Sequence, residues 1–387
     1  MMPKYRGRLE DGTAVEVTTS GRTIDNVDEI PPAEDLPWLL PVLVDVQHNG
    51  ALGHYYNELH EVRREHLQDV ADLLRRHGVG RCQMTLTTYP EQKLLETARR
   101  VDGWLEEDPE LGALFPWVFN EGIFVSPEDG WRGAHSRQWV RPPDYDFIRR
   151  LDGAIGGRIR TVNVAPDQPG GLDFVSAAAA DGKLVAIGHS GPDPETIREA
   201  VERGARVVTH FGNGAPSYVH RHRNPFWTFL VEDRLCLGLI GDGFHLPPDL
   251  VGTALRAKGP EGCFMVSDAS GYSGCEAGDY TWAGGRDFVI EPNGHVHLAD
   301  SEILAAAWFQ LDRSVEFLVS QIGLSLPEAW NQCSRIPAEL IGIDLPEPAA
   351  GEEASFVLAR WEEGLVLEQS VHRGENYLTE PWRPTDL

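Results

Sequence analysis

The chain has 387 residues, 41% of them hydrophobic, so it can bury one large barrel with an accessory unit or two to three average domains. Its formal net charge of −26 repels nucleic acid and anionic lipid over most of the surface, which excludes both as partners and requires a local basic site for any phosphate-bearing ligand. Five cysteines without a CxxC pair (Cys82, Cys236, Cys263, Cys275, Cys333), an opening MMPKYRGRLEDG with no apolar core and the lack of any long apolar stretch exclude a disulfide framework, a thiolate zinc site, a secretory signal and a membrane span, and predict a cytoplasmic protein.

In chain order, residues 3 to about 35 alternate apolar and polar side chains around Gly turns, which predicts short antiparallel strands. Eight apolar, β-branched runs follow at 41–50, 82–89, 113–122, 159–167, 183–190, 206–214, 235–245 and 263–270, and fully buried parallel strands read this way. Between several of them lie helical patterns, such as 56–78 and 194–205, with apolar residues at spacings of three and four and a closing glycine. Strand then helix, eight times over, predicts a TIM-type (β/α)8 barrel. From 343 onward the alternating pattern returns, so both termini are expected to join in a small β-sandwich domain. The expected division is 1–38 and 343–387 for that domain and 39–342 for the barrel, with a β-hairpin excursion near 280–298.

In such a barrel the C-terminal ends of the strands face the active site. Glu121 ends the third run, His189 the fifth, His210 the sixth and Asp268 the eighth. Two neutral imidazoles and a carboxylate form a three-ligand set for a divalent ion and leave coordination positions open for water and substrate. Asp268, standing free of the ion, can take a proton from the metal-activated water and pass it to a leaving amine. The chemistry predicted is metal-assisted amide hydrolysis. A His2Glu set suits zinc first, and also iron, manganese or cobalt.

These residues carry a family resemblance that covers nearly the whole chain. LVDVQHNG, NEGIFVSPEDGWRGAH, AIGHS, VTHFGNGAP, GDGFH and VSDAS resemble the motifs of the N-acetylglucosamine-6-phosphate deacetylases of the amidohydrolase superfamily. The resemblance implies that Gln47 and Asn49 fill the places of the superfamily's first-strand histidine pair, so that one metal ion binds per subunit and not two. The absence of a lysine from IRTVNVAPD, at the end of the fourth run, agrees with that count. It further implies Glu121, His189 and His210 as ligands, Asp268 and His135 as catalytic groups, and Gln47, Asn49, Ala134, His135, Asn213, Gly214 and His245 at an amino-sugar phosphate. Arg221, eight residues after Asn213, matches the family's phosphate-binding arginine, which reaches into a neighbouring subunit; a homodimer is therefore expected. Its neighbours His220, His222 and Arg223 add positive potential, and Arg offers phosphate a bidentate fork.

The HxH pair His295 and His297 follows a Pro-Asn-Gly turn and is read as a hairpin of the small β domain, not a metal site. His48 should point away from Gln47 and Asn49 into the barrel wall. Trp117, Trp131, Trp139, Trp227 and Trp282 are read as core or interface residues, with Trp131 the one near enough to His135 to watch. The chain departs from the family in Glu-Gly-Ile at 121–123, in the lengthened 217–225 loop and in Leu298–Ser301, which replaces a Gly-Ser-rich segment. The rim of the pocket has changed more than its floor, so two alternatives stand: a deacylase for another N-acylated amino sugar or small amide, and a non-catalytic sugar-phosphate-binding barrel.

Overall fold

The computed structural model describes residues 2–281, 287–300, 304, 306–345 and 347–384; Trp282 and Ser301 lie outside the described residues. Eight parallel strands form one sheet in sequential order: β1 (Leu43–His48), β2 (Val79–Leu86), β3 (Trp117–Asn120), β4 (Ile159–Val164), β5 (Leu184–Ile187), β6 (Ala205–Val208), β7 (Cys236–Ile240) and β8 (Cys263–Val266). The sheet closes where the Asp268 N–H donates to the Gln47 carbonyl and the Asn49 N–H to the Ala269 carbonyl. Helices α1 (Arg64–Arg76), α2 (Glu91–Glu107), α3 (Tyr145–Ala154), α4 (Gly171–Ala180), α5 (Pro194–Glu202), α6 (Pro225–Val231), α7 (Pro248–Lys258) and α8 (Asp312–Phe317) follow the strands in turn, completing the (β/α)8 barrel.

Local chemistry sets these elements. The strands are buried almost throughout because helices cover the outside and side chains fill the inside. α1 buries Leu67, Val70, Ala71 and Leu74, one stripe at helical spacing. Asp193 caps α5 by accepting the Thr196 N–H, with Pro194 in the first turn, and Asn224 caps α6 through the Phe226 N–H ahead of Pro225. The predicted helix at 56–78 begins only at Arg64. Before it, a turn over Tyr56–Glu58 is drawn to the mouth of the barrel, where Asn57 exchanges hydrogen bonds with Thr87 and its carbonyl accepts the Thr97 hydroxyl.

Inside the barrel, Val44, Val46, Phe119, Ala186, Val207, Ile240, Phe264 and Val266 pack against Ala338 and Ile341 of the helix Arg335–Ile341, which fills the end opposite the strands' C-termini. The termini meet in one seven-stranded sheet, ordered 375–376, 365–372, 356–361, 38–41, 4–8, 14–20 and 23–29. Trp38–Pro41 thus belongs to this sheet, past the expected boundary at 38. Along Phe356–Trp361, Phe356 and Leu358 join the sheet's own core while Val357 and Ala359 join the barrel's, so period-two alternation bonds the terminal sheet to the barrel. The His295–His297 hairpin is present, but it belongs to a separate three-stranded sheet with Gly278–Thr281 and Asp287–Ile290, built on Phe288, Ile290 and Val296. Among the described residues no helix is long and apolar enough to cross a membrane, and all five cysteines are free.

Candidate active site

Glu121, His189 and His210 come from β3, β5 and β6 and converge at the C-terminal mouth of the barrel. His189 Nε2 lies 3.2 Å and His210 Nε2 2.9 Å from Glu121 Oε1, and the two ring nitrogens are 2.9 Å apart. All three side chains are buried, and among the described residues this is the one group of His, Cys, Asp or Glu that can hold a metal ion. The His189 Nδ1–H donates to the Trp131 carbonyl at 3.2 Å, which fixes the tautomer and leaves Nε2 as a bare donor atom. Two such nitrogens and a carboxylate oxygen crowded within hydrogen-bond distance, away from water, are favourable only around a cation or a shared proton. The donor set therefore fits a divalent ion. Burial alone would raise the Glu121 carboxyl, yet the His189 and His210 contacts outweigh it and hold Glu121 well below the usual range. Burial lowers His189, whereas the Glu121 contact keeps His210 raised against the same burial.

His189, His210 and Asp268 all adopt left-handed backbone, with φ of 51°, 27° and 49°. Non-glycine residues pay strain there, and it persists only where the surrounding structure enforces it. Each stands just beyond its strand, where this turn swings the side chain across the barrel mouth.

Asp268 does not touch the histidines. Its Oδ1 accepts Asn49 Nδ2–H at 2.7 Å and Gln47 Nε2–H at 3.1 Å, and Gln47 Nε2 also lies 3.2 Å from Glu121 Oε1. Gln47 thus bridges Asp268 to the ligand cluster. Burial, and then the negative charge of Glu121, push Asp268 up to about 6. Behind it, buried Asp45 accepts the backbone N–H groups of Gln47 and Ser267 and the Ser267 hydroxyl, locking β1 to β8 at the residue before Asp268.

Around this centre the other expected residues spread along the mouth. His135 packs edge-to-face on His189 with ring centroids 4.1 Å apart, and burial lowers it to about 3, a neutral imidazole. Ala134 precedes it on an exposed turn of the 126–136 segment. Asn213 leaves Nδ2 buried without a partner, and Gly214, at φ +58°, passes so close that a Cβ would lie 2.7 Å from His189 Nδ1. His245 donates Nδ1–H to Asp242 Oδ2 at 2.6 Å, while Asp242 Oδ1 accepts the N–H groups of Phe244 and His245. Arg221 stands apart on an exposed loop, anchored where Trp227 Nε1–H donates to its carbonyl; Arg223 pairs with Glu195 and Asp193, and His220 Nδ1 accepts the N–H groups of His222 and Arg223. His48 points into the wall, between Gln310 and the Tyr56 hydroxyl.

Sequence reasoning missed three supporting groups. Asp242 was findable, since it sits three residues before His245 in GDGFH. Asp45 was findable as the residue two before Gln47. The Trp131 carbonyl carries no side-chain signal. The HxH pair contributes nothing to the centre: the His295 and His297 rings are 5.2 Å apart, but His297 Nε2 faces Glu291 at 3.1 Å and His295 stacks on Phe244.

Fold and site together define a closed parallel (β/α)8 barrel whose C-terminal mouth carries a buried Glu–His–His cluster that could hold a metal ion, with a separate acidic group beside it. No family model matches the chain. It is 29% identical over 352 residues to N-acetylglucosamine-6-phosphate deacetylase of Bos taurus, covering 88% of this chain and 82% of the relative, and 25% identical over 338 residues to the Bacillus subtilis protein of that name, covering 87% and 83%. The crystal structure of N-acetyl-D-glucosamine-6-phosphate deacetylase from Mycobacterium smegmatis superposes with a TM-score of 0.83 at 23% identity, covering 94% of this chain and 96% of that one, and shares the fold. Over most of its length the chain is thus similar to the N-acetylglucosamine-6-phosphate deacetylases, as a divergent relative.

Proposed function

We propose that the protein hydrolyses the N-acetyl amide of an amino-sugar 6-phosphate, releasing acetate and the free amino sugar. The observation that carries this reading is the meeting of Glu121, His189 and His210 with a separate, hydrogen-bonded Asp268 at one mouth. One divalent ion per subunit, zinc first among the candidates, would be held by those three residues and would supply Lewis-acid activation of water and of the amide carbonyl. Asp268 takes the proton as water attacks the acetyl carbon, with Gln47 and Asn49 fixing its carboxylate, and returns it to the departing nitrogen as the C–N bond breaks. His135, neutral beside His189, would donate to the acetyl oxygen as charge gathers there. Asn213, Gly214, Ala134 and His245 would line the sugar, and the unpartnered Asn213 amide supports a polar ligand at that point.

Arg221 would receive the phosphate of a substrate bound in a second copy of the chain. Tyr218 is 93% and Trp227 55% exposed beside it, with Val219 and Val231 also at the surface, an apolar margin around a basic cluster that suits a homodimer interface. With the free cysteines, the reading places the enzyme in the cytoplasm.

Acetate release from a panel of N-acetylated amino sugars, each with and without the 6-phosphate, tests the substrate. A preference of at least about a hundredfold in kcat/KM for the phosphorylated form is expected, the worth of two or three charge-assisted hydrogen bonds. Equal rates would move the substrate to another N-acylated small molecule, and no turnover with any would favour a binding barrel.

A further inference from the structure

The 126–136 segment runs from β3 across the metal-ligand cluster, and Trp131 lies at its centre. The Trp131 carbonyl receives the His189 Nδ1–H, so the conformation at this residue sets which way the ligand imidazole faces. Its ring is spent on packing. A Cβ on Gly191 would stand 2.5 Å from Cε2 and Nε1 of the indole, so the ring rests directly on a backbone that must be glycine. The Phe226 ring also neighbours it, tilted and 6.4 Å away between centroids. Phe226 lies in the first turn of α6, and the Asn224 cap that starts the same helix also donates Nδ2–H to the His220 carbonyl. A continuous line of contacts therefore joins the basic rim loop to His189: His220, Asn224, Phe226, Trp131, His189.

We propose that Trp131 is a positioning residue for the metal centre, its indole packed against Gly191 and beside Phe226 so that its carbonyl holds His189 in the ligating orientation and ties that ligand to the rim loop. The inference rests on the reading of Glu121, His189 and His210 as the metal set. The ring matters although the acceptor is backbone, because without it the segment is free to lift its carbonyl from Nδ1. Losing an outer partner of a ligating histidine weakens metal binding by about 10–100-fold.

Metal affinity measured by chelator competition on the full chain, with zinc as the probe, tests this. Trp131→Ala should raise the Kd by at least about tenfold, Trp131→Phe should recover most of it, and Gly191→Ala should mimic the loss by pushing the ring away while Trp131 is retained. At saturating zinc, kcat of Trp131→Ala should return to within about threefold of the parent, since the residue acts through metal binding. If Trp131→Ala and Gly191→Ala both bind zinc as tightly as the parent while His189→Asn does not, the positioning role is overturned and the metal set stands. If His189→Asn also binds zinc as tightly, the metal set itself is wrong.

Discussion

Two pairs of histidines show what a candidate metal centre requires of a fold. His295 and His297 are two residues apart on one hairpin and share a face, yet one ring stacks on Phe244 and the other faces Glu291. His189 and His210 are twenty-one residues apart at the ends of neighbouring strands, and they meet with both Nε2 atoms buried and within hydrogen-bond distance of one carboxylate oxygen. Local spacing brought the first pair together where a neighbouring acid and an aromatic ring meet their needs. Long-range convergence brought the second pair into a place where nothing but a cation or shared proton relieves the crowding, and three strained backbones hold the mouth in that arrangement.

That contrast can be broken by mutation. The largest effect is expected for His210→Ala, which should leave the barrel folded by circular dichroism, abolish tight metal binding and reduce acetate release to background; full metal content would dissolve the distinction between the two pairs. Next, Asp268→Asn should keep fold and metal but lower kcat by at least about a thousandfold, because the amide cannot carry the proton from water to the leaving nitrogen. Near-normal turnover would assign the proton transfer to another group. His297→Gln, by contrast, should leave metal content unchanged and kcat within about twofold, the mark of a structural histidine.

The smallest effect sharpens the comparison through stability. His372, in the terminal sheet, is buried with Nε2 against the Arg75 carbonyl and the Ser370 hydroxyl, and burial lowers it to about 3. The unfolded chain takes up that proton near pH 6.5, so the stability it contributes is complete above that value and is lost as pH falls below it. His372→Gln should therefore flatten the fall in unfolding free energy between pH 6 and pH 4 by up to about 1.4 kcal/mol per pH unit. An unchanged slope would mean that His372 titrates alike in both states. Asp45, raised to about 7 by burial, works in the opposite direction, holding an extra proton in the folded state and losing stability as pH rises toward 7.

Much of this was legible in the sequence for one physical reason. A parallel strand buried on both faces is a run of apolar, β-branched residues, so a Glu, His or Asp just past its end stands out, and Glu121, His189, His210 and Asp268 were each visible that way. What was illegible depended on partners distant in sequence. The helical period of 56–78 continues through Tyr56 and Leu59, but Asn57 is claimed by Thr87 and Thr97 and the helix waits until Arg64. The HxH segment announced its hairpin with Asp287–Ile290 through Pro292-Asn293-Gly294, whereas the pairing of that second strand with Gly278–Thr281, and not with the terminal sheet, goes with the cluster around Phe288. The Trp131 carbonyl could not be read at all, because every residue carries one.

The most direct test of the central claim, a single-ion deacetylase centre built on Glu121, His189 and His210, is reconstitution of the metal-free protein with increasing zinc while bound metal and acetate release are followed together. Activity is expected to rise in proportion to bound zinc and to break at one equivalent per chain. A break at two equivalents, or full acetate release from protein stripped of metal, would contradict it.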